Sequence, residues 1–189
     1  MSNIRDKKLF SVKEITLIAM FTAIIAVCSW ISIPMPMPFV PFTMQTFAIF
    51  LTIALLGMKN GTVSVILYIL LGVMGVPVFA GFKSGISALM GQTGGYIMGF
   101  VLTAVVAGLI IGRFGNKIPV MAIAMVLGSV VCYAFGTVWF MVVYANANGP
   151  IGLMTALSWC VFPFIVPDLV KISLAILVTK RIEKYVRLH

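Results

Sequence analysis

The chain predicts an all-α integral membrane protein, a bundle of six transmembrane helices with both termini cytoplasmic, and three observations lead there. Of its 189 residues, 62% are hydrophobic and 9% charged, where a soluble domain averages about 45–50% apolar and about 25% charged. Apolar runs recur along the whole length, separated by short glycine, proline or basic punctuation. Basic residues gather in alternate connecting segments, the signature of a chain threaded back and forth across a bilayer.

The spans are expected near 15–33, 43–56, 62–76, 95–112, 119–144 and 159–179, within one membrane domain covering 1–189. The first follows Arg5, Lys7, Lys8 and Lys13, as a signal peptide would. Its length of about 19 residues and the lack of an A-x-A-like site favour a retained span. The second and third fall short of the roughly 20 residues a span needs, which makes five helices the competing count.

Charge decides between them. With both ends inside, the inner segments hold Arg5, Lys7, Lys8, Lys13, Lys59, Arg113, Lys117, Lys180, Arg181, Lys184 and Arg187, while the outer loops hold only Lys83. An odd number of spans would put one basic terminus on the wrong side. The net charge of +9 is therefore read as topology rather than as a nucleic-acid surface. The lipid bilayer is the partner that this composition requires.

Other chemistries lack material. Cys28, Cys132 and Cys160 lie far apart in apolar runs and read as small core or lipid-facing residues rather than a disulfide or metal set. The lone histidine, His189, is the last residue. No nucleotide-binding loop is visible, and no acidic residue outside Asp168 lies in any span, so two-carboxylate or two-metal catalysis is unsupported and the chain is not read as an enzyme.

Asp168 and Lys171 are the only charged side chains in the sixth apolar run, Trp159–Thr179. Each charge at the centre of a span costs roughly 2.5–3.5 kcal/mol on insertion scales. Their spacing places both on one helix face, where they offset each other. Counting about 1.5 Å per residue from Lys180 puts Lys171 roughly 13 Å and Asp168 roughly 18 Å into the membrane, near or just outside the midplane. A helix-bundling ion pair is one reading; a polar ligand site is the favoured one. Pro163 and Pro167 loosen the start of this helix and free a backbone carbonyl.

Three further constellations stand out. Gly91-Gln92-Thr93-Gly94-Gly95-Tyr96 opens the fourth span; its glycines allow close backbone approach and expose N–H groups, while Gln92, Thr93 and Tyr96 add hydrogen-bonding side chains. Gly91/Gly95, Gly95/Gly99 and Gly108/Gly112 also fit small-residue helix packing. The stretch Ile33–Phe42, with prolines at 34, 36, 38 and 41, is extended by its ring constraints; it reads as an apolar lid carrying Phe39 and Val40 or as a stiff connector, with Thr43 and Gln45 following at the next helix. Ala19 and Ala23, with Ala26 nearby, form a small-residue strip on the first span, suited to close helix approach within the protein or to a partner.

At these residues the chain resembles the BioY family, the biotin-specific substrate-binding (S) components of energy-coupling-factor transporters. The resemblance is carried by Val40-Pro41-Phe42-Thr43-Met44-Gln45-Thr46, Tyr68-Ile69-Leu70-Leu71-Gly72, Gly75-Val76-Pro77-Val78-Phe79-Ala80, Thr93-Gly94-Gly95-Tyr96 through Gly99-Phe100, and Asp168-Leu169-Val170-Lys171. Gln92 stands where the family has proline and Pro167 where it has glycine. The resemblance implies a six-helix bundle that captures biotin from outside, with Asp168, Lys171, Tyr96, Gln92, Thr93, Gly94, Gly95, Gln45, Phe39 and Val40 around the ligand. It also implies docking through Ala19 and Ala23 to a transmembrane coupling subunit that works with two cytosolic ATPases. Biotin is then the transported ligand, and no cofactor is implied. Another vitamin, or transport without the ATPases, are the alternatives, and which end of biotin meets Asp168 and Lys171 is left open.

Overall fold

The computed structural model describes residues 10–34 and 40–186. Helix α1, Val12–Trp30, begins before the first apolar residue of the predicted span because a capping box starts it. The Ser11 hydroxyl accepts from the Glu14 N–H at 3.2 Å and the Glu14 carboxylate accepts from the Ser11 N–H at 2.7 Å, which satisfies two donors that a helix start leaves unpaired. It ends early because Ser32–Ile33 (β1) pairs antiparallel with Phe42–Thr43 (β2). This small ribbon, absent from the all-helical expectation, closes the base of the proline-rich segment.

Helix α2, Gln45–Val73, contains the second and third predicted spans. Gly57 adopts φ 75°, ψ −178°, a conformation that only glycine enters without strain, and there the chain folds back. A Cβ on Gly61 would lie 3.2 Å from the Ile53 Cα, and Gln45 meets Tyr68 at the open end, so the arms 45–56 and 58–73 lie antiparallel. The inner turn is thus a single residue, tighter than the five-residue turn Gly57–Gly61 expected from punctuation. Five helices of the described chain are long and apolar enough to cross a membrane, and the folding back of α2 makes six rods. The first arm is only about 18 Å long at 1.5 Å per residue, so its open end stops within a bilayer core of about 30 Å.

After α2 come a short turn of 3-10 helix at Ala80–Phe82, α3 (Ile86–Met90), and the long pair α4 (Gly94–Phe114) and α5 (Ile118–Asn148). Helix α5 outruns its apolar stretch by including Asn146 and Asn148. The segment 145–158, expected as an outer loop, is therefore mostly helix: only residues 149–152 separate α5 from α6 (Leu153–Cys160). Helix α7, Phe162–Val186, follows after a break at Val161. Pro163 has no N–H to give to the Trp159 carbonyl, which accounts for the break. Pro167 sits inside α7 and leaves the Pro163 carbonyl without its helical donor.

The core lies between α2, α4 and α5, where Ile49, Ile53, Val65, Tyr68, Ala104, Met125 and Phe140 are completely buried. At one end of the bundle, Asn60 beside the hairpin tip donates to Glu14 at 3.2 Å, and Asn116 of the α4–α5 turn donates to Glu183 at 2.8 Å. The start of α1, the hairpin tip, the 115–117 turn and the end of α7 thus share this end, and with them Lys13, Lys59, Lys117 and Lys180. Lys83 lies in the loops of the opposite end.

Candidate binding site

At the end opposite that basic surface, α2, α4, α5 and α7 enclose a cavity with Asp168 and Lys171 in its wall. Both residues are 4% exposed. The Lys171 ammonium donates to Asp168 Oδ1 at 2.8 Å and lies 4.3 Å from the centre of the Phe42 ring, so attraction to an aromatic face supplements the ion pair. Phe42 in turn stacks on Phe164, centroids 6.0 Å apart. This couples the β1–β2 ribbon to α7.

Asp168 has two more donors. The Thr46 hydroxyl reaches Oδ1 at 3.2 Å, and the Tyr133 hydroxyl donates a short bond to Oδ2. A buried carboxylate is tolerated when it is paired and hydrogen-bonded, and here α2, α5 and α7 all contribute to that end. Neither Thr46 nor Tyr133 was singled out by sequence reading. Threonine and tyrosine are ordinary in apolar helices, and only the fold brings them to the acid.

Gln45 lies at the cavity edge of α2, where its amide donates to the Tyr68 hydroxyl at 2.6 Å and its carbonyl accepts from Thr43 at 3.2 Å. Tyr96, Thr93 and Val40 also line the cavity. The Tyr96 hydroxyl and the Thr137 hydroxyl are 3.1 Å apart, and the Tyr96 ring fills the space that a Cβ on Gly136 would occupy, 2.4 Å from its Cδ1.

Of the other expected contacts, Gly94 and Gly95 are absent from the lining because they serve packing. A Cβ on Gly94 would fall 1.6 Å from the Leu89 carbonyl oxygen, and one on Gly95 would fall 2.2 Å from the Trp139 Cβ. Gln92 lines a wider groove just outside the cavity, and Phe39 lies outside the described residues. Gly108 packs against Met58, where an added Cβ would fall 2.7 Å from the Met58 Cα, whereas Gly112 faces open space, so the second member of that predicted packing pair meets no helix.

The cavity wall also includes two of the cysteines expected only as small core or lipid-facing residues. Cys132 and Cys160 line it, alongside Phe79, Phe100 and Phe164. Phe79 is 1% exposed and presses against Gly72, whose missing side chain makes room for the ring. Aromatic and thiol groups surround a few polar ones, the mixture typical of small-molecule pockets. Among the described residues, no group of His, Cys, Asp and Glu is arranged to hold a metal ion. A second, almost wholly apolar groove between α5 and α6–α7 meets the cavity at Tyr133 and Asp168.

Ala19 and Ala23 lie exposed on one face of α1 and Ala26 is buried. The strip therefore divides, with the first two alanines turned away from the bundle.

Fold and cavity together define the class: a multi-pass membrane protein whose helices enclose a small polar site with apolar walls. The chain belongs to the BioY family, whose model matches residues 3–188. It is 42% identical over 164 residues to the biotin transporter BioY of Thermotoga maritima, covering 87% of this chain and 92% of that protein. A probable biotin transporter BioY of Pyrococcus horikoshii is 36% identical over 171 residues, covering 90% and 96%. The crystal structure at 2.1 Å of the S-component for biotin from an ECF-type ABC transporter superposes with a TM-score of 0.81 at 28% identity, covering 97% of this chain and 95% of that one.

Proposed function

We propose that this protein is the biotin-capturing membrane subunit of an energy-coupling-factor transporter. The observation that carries the reading is the buried Asp168–Lys171 pair in the wall of an aromatic-lined cavity in a chain of the BioY family. Biotin offers complementary groups: two ureido N–H donors, a ureido carbonyl, an apolar thioether ring and a carboxylate. Asp168, Lys171, Gln45, Thr93 and Tyr96 supply the polar partners, and Phe79, Phe100 and Phe164 receive the ring. A ligand lacking the matching polar group would leave the remaining hydrogen-bonding capacity of these groups unused, so the site discriminates by chemistry as well as by shape.

The basic end of the bundle faces the cytoplasm with both termini, and the cavity opens outward, in keeping with the positive-inside rule. The family reading supplies a transmembrane coupling subunit and two cytosolic ATPases; no segment here resembles an ATP-binding loop, so any ATP hydrolysis that drives uptake comes from those partners. The exposed Ala19 and Ala23 form the face that the coupling subunit meets.

Calorimetry on the purified protein tests the reading. Biotin binds tightly to the native chain and is not displaced by other vitamins, and folded Asp168→Asn and Lys171→Ala variants lose the affinity. Native-level binding by both variants would remove the pair from the site, and displacement by a different vitamin would change the assigned ligand. Uptake in cells lacking the ATPases separates coupled from independent transport.

A further inference from the structure

The hairpin tip of α2 stops short of the end of α4. Met58, beside the turning residue Gly57, rests on Gly108, where an added Cβ would fall 2.7 Å from the Met58 Cα. Gly112 lies one turn further along the same face of α4 and meets nothing within 4 Å. From Gly108 the helix runs on to Phe114, about 9 Å at 1.5 Å per residue, and its last turn is exposed. Below the tip this leaves a notch of about 550 Å³, lined by Met58, Gly108, Leu109, Gly112, Arg113 and Phe114.

The notch has two kinds of surface. Its walls are apolar and open to the surroundings, with Met58, Leu109 and Phe114 all exposed. The one charged group in the lining is Arg113, which is exposed and has no hydrogen-bond or ion-pair partner among the described residues. The end of α4 has a backbone cap of its own, the Gly115 N–H donating to the Ile111 carbonyl at 2.9 Å. Nearby acids are engaged elsewhere: Glu14 with Ser11 and Asn60, Glu183 with Asn116 and Lys180. Lys59, next to Met58, has its ammonium 4.5 Å from the centre of the Phe10 ring, toward α1.

An occupant matching both surfaces has a hydrocarbon part and an anionic head. A partner helix following small residues along α4 would need Gly108 as well as Gly112, and Met58 already fills the space over Gly108. An amphiphile needs only the open turn. The notch also lies at the basic end of the bundle, where hydrocarbon gives way to lipid head groups, and basic pockets between helices at the cytoplasmic side hold anionic head groups.

We propose that this notch binds one anionic phospholipid, its acyl chain over Gly112 against Met58, Leu109 and Phe114, and its phosphate on the Arg113 guanidinium. The planar guanidinium holds a phosphate through paired N–H donors. A zwitterionic head brings its own cation to the phosphate and gains less from Arg113. The test is native mass spectrometry of the full chain, titrated with phosphatidylglycerol or with phosphatidylcholine, which resolves lipids bound one at a time. The native chain takes its first phosphatidylglycerol about fivefold more tightly than its first phosphatidylcholine, the effect of one basic residue beside an anionic lipid. Arg113→Gln loses most of that preference. Arg181→Gln, which removes the same charge from the same end of the bundle but outside the notch, keeps it. Gly112→Leu fills the notch and weakens the first binding of both lipids, with circular dichroism at native helix content confirming the fold of each variant. Equal native affinity for the two lipids, or equal losses in Arg113→Gln and Arg181→Gln, would overturn the proposal in favour of diffuse attraction to the basic end. A Gly112→Leu chain that binds phosphatidylglycerol normally and no longer co-purifies with the coupling subunit would also overturn it, making the notch a protein interface.

Discussion

The side-chain amide of Gln45 donates to the Tyr68 hydroxyl at 2.6 Å, and both residues are buried, at 4% and 0% exposure. The two lie almost symmetrically about Gly57, where α2 reverses. The bond therefore ties the open end of a helical hairpin whose closed end is a single glycine, and the tied end is part of the cavity wall. Backbone geometry at one end and a side-chain bond at the other hold Gln45 where a ligand would meet it.

Tyr68→Phe keeps the ring, with its edge-on contact to Phe79, and leaves the Gln45 amide without its acceptor. An unsatisfied buried donor costs about 1–3 kcal/mol, so the melting temperature falls and ligand affinity falls with it. Adding Gln45→Leu to Tyr68→Phe removes both halves of the unmet bond and restores much of the thermal stability without restoring affinity. Thermal unfolding in detergent and calorimetry, run on the same preparations, read the two effects separately. Recovery of affinity in the double variant would show that Gln45 shapes the hairpin only.

The Asp168–Lys171 pair calls for an unequal double-mutant cycle. Asp168→Asn strips the Lys171 ammonium of its counter-charge and leaves it the Phe42 ring; losing one half of a buried pair costs about 3–5 kcal/mol. Lys171→Met leaves Asp168 with two hydroxyl donors, Thr46 and Tyr133, so its loss is smaller. The double variant Asp168→Asn/Lys171→Met approaches native stability while binding no biotin. Equal losses in the two single variants would mean that the hydroxyls do little for the carboxylate.

Glycines that look alike along the chain behave differently in the fold. Gly95→Ala drives a methyl to 2.2 Å from the Trp139 Cβ and disturbs the α4–α5 seam, with a loss of about 1–3 kcal/mol as for other overpacked sites. Gly112→Ala meets nothing within 4 Å and gains about 0.5–1 kcal/mol of helix propensity. Melting curves of the two variants, displaced in opposite directions from the native one, would bear this out; a harmless Gly95→Ala would mean that the seam is slack.

What the chain discloses follows from how unusual each signal is. Two charges in an apolar run are conspicuous, so Asp168 and Lys171 were legible, as was the alternation of basic and uncharged connections. Thr46 and Tyr133 were not: they reach Asp168 across 122 and 35 residues, and a hydroxyl in an apolar helix usually bonds its own backbone, as Thr22 and Thr52 do. Gly94 and Gly95 were read as ligand-facing because glycine permits close approach. Residue type alone does not say what approaches, and here Leu89 and Trp139 do.

Ala19 and Ala23 offer a test that separates capture from uptake. Both are exposed on α1, while the neighbouring Phe21, Thr22 and Ile25 are buried against the bundle. Enlarging the two alanines therefore leaves the core and the cavity untouched, and it raises ridges on a flat face where a partner helix would approach closely. Ala19→Leu/Ala23→Leu retains native biotin affinity and melting temperature in the isolated subunit and loses co-purification with the coupling subunit, together with ATP-dependent uptake. Asp168→Asn gives the converse, assembly without binding. If the double leucine variant still takes up biotin at the native rate with the ATPases present, the coupling subunit docks on another face of the bundle.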